Sequence, residues 1–152
     1  MTSWSQVLSA EPELAAAVRA AFAVRRHATM ATLRRDGSPR LSGTEVAFDD
    51  EAGDVVLGSM PGARKALDLR RDPRVALHSP TVDTPEDDPT RWAEAKVDGT
   101  AVETTDPARS DEAHRFVLDI TQVVLTTVGA PGDHLLIRCW HHERGATRHE
   151  RR

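Results

Sequence analysis

The apolar residues follow a helical period near the start of the chain and an alternating pattern afterwards. In the segment 12–26, Leu14, Val18 and Phe22 recur every four residues among several alanines, which predicts an amphipathic helix. Further along, the apolar runs become short, rich in β-branched residues and separated by turn sequences such as Asp36-Gly37. That pattern is typical of antiparallel strands. We therefore expect a mainly β domain with an N-terminal helical segment, residues 1–26, packed on it.

About seven strand-like runs can be placed between the turn sequences. They cover residues 27–33, 39–48, 55–57, 74–78, 92–104, 123–128 and 134–137. Gly99 is a candidate β-bulge in the fifth run. Two more helices are expected, over 63–71 and over 106–120, the second because Asp106-Pro107 supplies a cap followed by proline. This order predicts a Greek-key-like β-barrel with two to three helices on its outside.

Composition narrows the class of protein. The 152 residues are 39% hydrophobic and 29% charged, which fits one globular domain over residues 1–152. The chain shows no apolar run of membrane-spanning length and no signal-peptide pattern, so we expect a cytoplasmic protein without membrane contact. A net charge of -4 argues against nucleic-acid binding. The single cysteine, Cys139, is expected to be a buried thiol.

The loop 58–62 is the strongest candidate for chemistry. It joins an apolar strand to a basic helix through Gly58 and Ser59, and Arg64 and Lys65 follow directly. Backbone N–H groups in a flexible loop, a helix start and two cationic side chains together form an anion site. The alternative is an ordinary strand-to-helix turn with two solvated side chains.

The histidines offer weaker signals. His141, His142 and His149 have no cysteine or carboxylate at a recognised ligand spacing, so no metal site is expected. His78 follows an alternating strand and is interpreted as a partly buried structural residue in preference to a site residue. No residue stands out as a protein acid or base.

Several blocks, in this order, resemble the pyridoxamine 5'-phosphate oxidase-like flavin-binding split β-barrels. The blocks are Ala31-Thr32-Leu33 with Asp36-Gly37-Ser38-Pro39, Gly58-Ser59 with Arg64-Lys65-Ala66, Asp72-Pro73-Arg74-Val75-Ala76-Leu77, Val97-Asp98-Gly99-Thr100-Ala101 and Ile137-Arg138-Cys139-Trp140-His141. The similarity runs from about residue 28 to the end of the chain. It implies a split β-barrel that binds FMN.

The resemblance also implies where the cofactor would lie. Gly58, Ser59, Arg64 and Lys65 would hold the flavin phosphate. A strand would lie along the isoalloxazine ring and bond its pyrimidine edge; its residues are Ser42, Gly43, Thr44, Glu45 and Val46. Family sites lie at a homodimer interface, so the segment that begins at Glu94 and the side chain of Trp140 would approach the ring from the partner subunit.

Two departures from the oxidase pattern bear on function. Ser42 stands where the oxidase has an arginine. Ala146 stands at the position of a second arginine, which holds the substrate phosphate in the oxidase. Arg148 aligns with that position only if two residues are inserted. The departures argue against oxidation of pyridoxamine phosphate itself. We expect an oxidoreductase that uses FMN, or the F420-type deazaflavin coenzyme, to transfer hydride to or from a small conjugated substrate. A non-catalytic carrier or sensor that binds flavin or haem is the alternative.

Overall fold

Three α-helices lie in the part of the chain that the computed structural model describes, residues 1–105 and 113–152. The helices are α1 (Trp4–Ala10), α2 (Pro12–Ala23) and α3 (Arg64–Arg71), and a single 3-10 turn spans Pro89–Arg91. None of these helices is long and apolar enough to cross a membrane. Proline at the first position of α2 fixes the backbone at a point where no helical hydrogen bond is lost.

Within the described residues, nine antiparallel strands form one sheet, arranged as a split β-barrel. The strands are β1 (Ala28–Leu33), β2 (Pro39–Thr44), β3 (Val46–Asp49), β4 (Asp54–Ser59), β5 (Arg74–His78), β6 (Ala93–Thr104), β7 (His114–Gly129), β8 (His134–His141) and β9 (Gly145–Arg151). Their order is β2-β1-β5-β6-β7-β4-β3, with β8 on β7 and β9 on β8. One edge of β7 pairs with β6, whereas the other edge pairs first with β4 and then with β8. The fold class predicted from the sequence is confirmed.

The N-terminal helices cover one side of the barrel. Leu14, Val18 and Phe22 are all buried, as their four-residue period requires. The rings of Trp4 and Phe22 both meet the ring of Phe48 edge-on, with centroids 4.7 and 5.7 Å away. These contacts join both helices to β3.

The helix predicted over 106–120 is wrong from His114 onwards. Residues 106–112 lie outside the described part of the chain, and β7 begins at His114. Phe116, Leu118 and Ile120 are buried at every second position, between strands on both edges. An apolar run of this kind suits a buried strand as well as a helix, and the pairing with β4 and β6 decides between them.

The strand count is nine because two predicted features change. The run 39–48 is divided at Glu45, since β2 pairs with β1 whereas β3 pairs with β4. The C-terminal tail, which follows the last predicted strand, is exposed throughout and forms β9. The predicted bulge is confirmed, with a register shift between Asp98 and Gly99. A Cβ added at Gly99 would lie 2.1 Å from the backbone oxygen of Asp119, so glycine permits this close approach.

Candidate functional site

A cavity of about 520 Å³ lies between the end of β2, the end of β4 and the start of α3. We call it the Ser59 cavity. Its lining residues are His27, Gly43, Thr44, Glu45, Gly58, Ser59, Met60, Pro61, Ala63, Lys65 and Ala113. The sheet brings these segments together because β4 ends at Ser59, directly before the loop that leads into α3.

The hydroxyl of Ser59 is the group in this cavity that points most directly to a ligand. The Oγ atom is buried and has no hydrogen-bond partner within the described residues. A buried hydroxyl without a partner costs about 1–3 kcal/mol, and such groups are rare in folded proteins. Because Ser59 lines the cavity, its hydroxyl can donate a hydrogen bond to a ligand bound there.

Lys65 brings positive charge to the same cavity. Its Nζ donates a hydrogen bond to the backbone oxygen of Gly43, 2.8 Å away. Burial lowers the pKa of the Lys65 ammonium, and the nearby charge of Glu45 partly offsets that effect. The ammonium is therefore partly desolvated, and an anion placed beside it would favour its charged form.

The loop between β4 and α3 is anchored by His114. Gly62, with a φ of +69°, takes a backbone conformation that favours glycine, and its N–H donates to Nε2 of His114 at 3.2 Å. The proton of the neutral ring therefore lies on Nδ1, which faces Oε1 of Glu103 at 3.1 Å. Arg70 holds the same carboxylate through two bonds of 2.8 Å. The hydrogen bond from Arg70, together with that from His114, lowers the pKa of Glu103.

Sequence reasoning missed His114. The residue lies at the start of β7, opposite Ser59 in the β4–β7 register, and it is buried. Nothing in the local sequence marks it, because the contact with Gly62 spans 52 positions. Only the pairing of β4 with β7 shows that His114 lies beside the loop.

A second cavity of about 670 Å³ adjoins the first. Glu45 and Gly58 line both cavities. The second extends along β3 past Val46 to the end of α2 at Phe22. Nε of Arg26 lies 2.9 Å from a carboxylate oxygen of Glu45 at the junction of the two. The two cavities thus share a wall at Glu45 and Gly58, with Lys65 and Ser59 on the side of the first.

Seven of the eleven predicted cofactor residues line these two cavities. They are Gly43, Thr44, Glu45, Val46, Gly58, Ser59 and Lys65. Ser42 lies in β2 opposite Met30. Arg64, the predicted partner of Lys65 in binding phosphate, lines a different cavity.

The two residues predicted to act across a dimer interface lie elsewhere in the chain. The carboxylate of Glu94 is 3.3 Å from Nε2 of His78, whose Nδ1 is 2.7 Å from the backbone oxygen of Ser79. His78 is thus partly buried among polar partners, as predicted. Trp140 lies in β8 opposite Val123 and is 8% exposed, so its ring belongs mostly to the core of its own chain.

The turn between β8 and β9 holds the remaining titratable cluster. The side chains of His141, His142 and Glu143 bring ligand atoms within 4.8 Å of one another. Nδ1 of His141 already accepts a hydrogen bond from the backbone of Glu143 at 3.2 Å, and two of the three residues are exposed. Nearby Cys139 was predicted to be buried, but it is partly exposed. Trp140 is the one residue of β8 that is buried.

The match to known sequences decides the family. The family model described as pyridoxamine 5'-phosphate oxidase matches residues 14–124, a range that contains every lining residue of both cavities. The chain belongs to the pyridoxamine 5'-phosphate oxidase family. The match begins in α2 and continues into β7, so it covers the loop 58–62 and most of the barrel. A comparison with curated proteins found no match.

Solved structures share the family's fold at low sequence identity. PhzG from Burkholderia lata 383, in complex with tetrahydrophenazine-1-carboxylic acid, has a TM-score of 0.66 and 10% identity over 95% of this chain and 90% of its own. A pyridoxamine 5'-phosphate oxidase-related, FMN-binding protein from Nostoc punctiforme has a TM-score of 0.62 and 10% identity over 100% and 98%. A haem-binding protein from Mycobacterium smegmatis has a TM-score of 0.58 and 16% identity over 91% and 86%. At these identities the likeness establishes the fold.

Proposed function

We propose that this chain binds FMN, with the phosphate in the Ser59 cavity, and acts as a flavin-dependent oxidoreductase. The observation that carries the proposal is the buried Ser59 hydroxyl, which has no partner among the described residues, in a residue that lines the same cavity as Lys65. A phosphate offers three acceptor oxygens and up to two negative charges. It would accept the Ser59 proton, and it would restore to the Lys65 ammonium the stabilisation that burial removes.

The flavin ring would extend from this end into the second cavity. Glu45 separates β2 from β3 and belongs to neither the β1–β2 ladder nor the β3–β4 ladder. Its backbone N–H and C=O therefore lie outside the strand pairing and can bond the polar edge of a ring. Bound FMN would supply hydride transfer. The chain would fix the orientation of the ring, keep water from it and hold its phosphate.

The active unit we propose is a homodimer. In it, the partly exposed Glu94 would approach the ring from the partner subunit, whereas Trp140, 8% exposed, offers little surface for the same contact. β2 is an end strand of the sheet, and an unpaired strand edge of this kind can pair with a second copy of the chain. The substrate class we propose is a small conjugated molecule that can exchange hydride with the flavin, and the F420-type deazaflavin coenzyme is the alternative cofactor.

A titration with FMN and riboflavin tests the phosphate site, because the two ligands differ only in the phosphate. The apo-protein should bind FMN more tightly than riboflavin. Ser59→Ala should weaken FMN binding about tenfold, since a hydrogen bond to a charged group contributes about 1.5 kcal/mol or more. It should leave riboflavin binding unchanged.

Two controls separate this role from a structural one. Ser59→Ala removes a buried hydroxyl that has no described partner, so the apo-protein should be as stable as the parent or more stable. Ser9→Ala removes a hydroxyl on α1 that donates to the backbone oxygen of Ser5. This change should alter the affinity for neither FMN nor riboflavin. Unchanged FMN affinity in Ser59→Ala would exclude the Ser59 cavity as the phosphate site.

Turnover separates an enzyme from a carrier. Reduced FMN bound to the protein is mixed with a conjugated acceptor such as a quinone, and its absorbance is followed with time. An oxidoreductase should oxidise the bound flavin faster than the acceptor oxidises free reduced FMN. Equal rates for bound and free flavin would favour a carrier.

Haem binding is the second candidate, because one feature favours it. His27 lines the mouth of the Ser59 cavity, and its ring, 70% exposed, lies 3.7 Å from Glu45. Imidazole is a common axial ligand of haem iron, and the M. smegmatis structure is that of a haem-binding protein. A haem titration should then give a shifted Soret band that His27→Ala abolishes. Tight FMN binding without such a band would reject haem.

A further inference from the structure

A cavity separate from the Ser59 cavity lies beside α3 and the β1–β2 turn. Its volume is about 780 Å³, and six guanidinium groups line it. We call it the arginine groove. Its arginines are Arg34, Arg35, Arg40, Arg64, Arg70 and Arg71. It shares no lining residue with the Ser59 cavity.

A buried carboxylate fixes two of these arginines in place. Asp68 is 3% exposed, and it accepts hydrogen bonds from Arg40 at 2.6 Å, Arg71 at 3.0 Å and the Thr32 hydroxyl at 2.9 Å. Burial alone would raise the pKa of Asp68, but these hydrogen bonds together lower it. The carboxylate therefore stays ionised and orients both guanidinium groups before any ligand arrives.

Positive charge in the groove exceeds the negative charge that lines it. Asp36 and Asp68 are the acidic lining residues, and Glu103 engages Arg70 from outside the lining. These carboxylates are fewer than the guanidinium groups. The surplus lies on a chain whose net charge is -4, so it is a local concentration of charge and not a property of the whole surface.

We infer that the arginine groove binds a small polyanion that carries two or more phosphate or carboxylate groups. Guanidinium groups bond such oxyanions through paired N–H donors. Several guanidinium groups around one cavity exceed what a single phosphate can accept at once. A pocket of this volume suits a small molecule, and the net negative charge of the chain disfavours a nucleic acid. The inference is independent of FMN binding.

Calorimetric titration at constant ionic strength tests the site, with inorganic pyrophosphate and citrate as probes and inorganic phosphate as the reference. Pyrophosphate or citrate should bind at least tenfold more tightly than phosphate. The stronger of the two identifies the preferred oxyanion, phosphate or carboxylate. Equal affinity for phosphate, or tighter binding of a short DNA duplex, would overturn the inference.

Variants locate the binding. The double variant Arg35→Gln with Arg71→Gln should weaken binding of the preferred probe at least tenfold. Arg35→Gln alone should weaken it about threefold. This single change is on an exposed residue and leaves all the hydrogen-bond partners of Asp68 in place. Arg148→Gln with Arg151→Gln removes the same charge from the exposed strand β9 and should change binding less than twofold. An equal effect of the β9 pair would show general charge attraction and refute the site. FMN affinity should stay constant in all variants.

Discussion

Replacing Lys65 by methionine keeps most of the length of the unbranched side chain and removes its charge. Nζ of Lys65 donates to Gly43 at 2.8 Å and lines the Ser59 cavity. A bound phosphate would gain a charge-assisted hydrogen bond from this ammonium, and bonds to charged groups contribute about 1.5–3 kcal/mol. Because the bond to Gly43 competes for the same group, we expect the lower part of that range, about 1.5–2 kcal/mol.

That free energy corresponds to a rise of about 10- to 30-fold in the Kd for FMN. Quenching of FMN fluorescence on binding measures the Kd in both the parent and the variant. Riboflavin, which lacks the phosphate, should bind the variant and the parent equally. Lys65→Arg keeps the charge and should recover most of the affinity.

The lowered pKa of Lys65 adds a test that depends on pH. Burial lowers this pKa below its ordinary value of 10.5, so the folded apo-protein releases the proton at a lower pH than the unfolded chain does. Burial of the charged form costs stability, and that cost begins to fall as the pH rises through the lowered pKa and is gone above the unfolded-state pKa. A bound phosphate raises the pKa again, so FMN binding should take up protons in this pH range.

Calorimetry in two buffers of different ionisation enthalpy measures the proton uptake. At about pH 9 the FMN phosphate is already fully ionised, since its second pKa is about 6, so it contributes no protons. The parent should take up protons and Lys65→Met should not. The reasoning about Lys65 is refuted if FMN affinity and proton uptake are the same in both proteins.

Two further predictions concern the networks around the loop. Arg40→Leu leaves the buried carboxylate of Asp68 without its closest cation, and urea unfolding should show a loss of about 2–4 kcal/mol. Because the pKa of Asp68 is lowered, this ion pair stabilises the fold above the unfolded-state pKa, and that stabilisation is lost as the pH falls through the folded-state value. The free energies of unfolding of parent and variant should therefore converge in acid. A difference that stays constant with pH would contradict the assignment. His114→Ala removes the acceptor of the Gly62 N–H and should raise the Kd for FMN about fivefold, the effect of one hydrogen bond. His114→Gln, which keeps an acceptor, should restore part of the affinity, and equal binding by all three proteins would reject the anchoring role.

Local signals account for what the sequence predicted well. The turn at Asp36-Gly37 is closed by a bond from the Gly37 N–H to the backbone of Arg34 at 2.9 Å, so the β1–β2 hairpin follows from a two-residue pattern. The same holds for α2, whose buried face repeats every four residues. Ser59 and Lys65 lie only six positions apart, so the strand-to-helix turn between them is enough to predict that they are neighbours.

Contacts between distant segments account for what the sequence did not predict. The register of β4 against β7 places His114 at the loop, and pairing on both edges makes a strand of a run that also suits a helix. Arg64 follows the same loop as Lys65, yet successive residues of a helix do not share a face, and Arg64 lines the arginine groove. Sequence proximity alone therefore could not show that the two basic residues diverge.

A crystal structure of the protein grown with FMN in excess tests the central claim most directly. We expect the flavin phosphate within hydrogen-bonding distance of the Ser59 Oγ and the Lys65 Nζ, with the ring passing Glu45. A flavin bound elsewhere, or crystals with the Ser59 cavity filled by water at saturating FMN, would contradict the account.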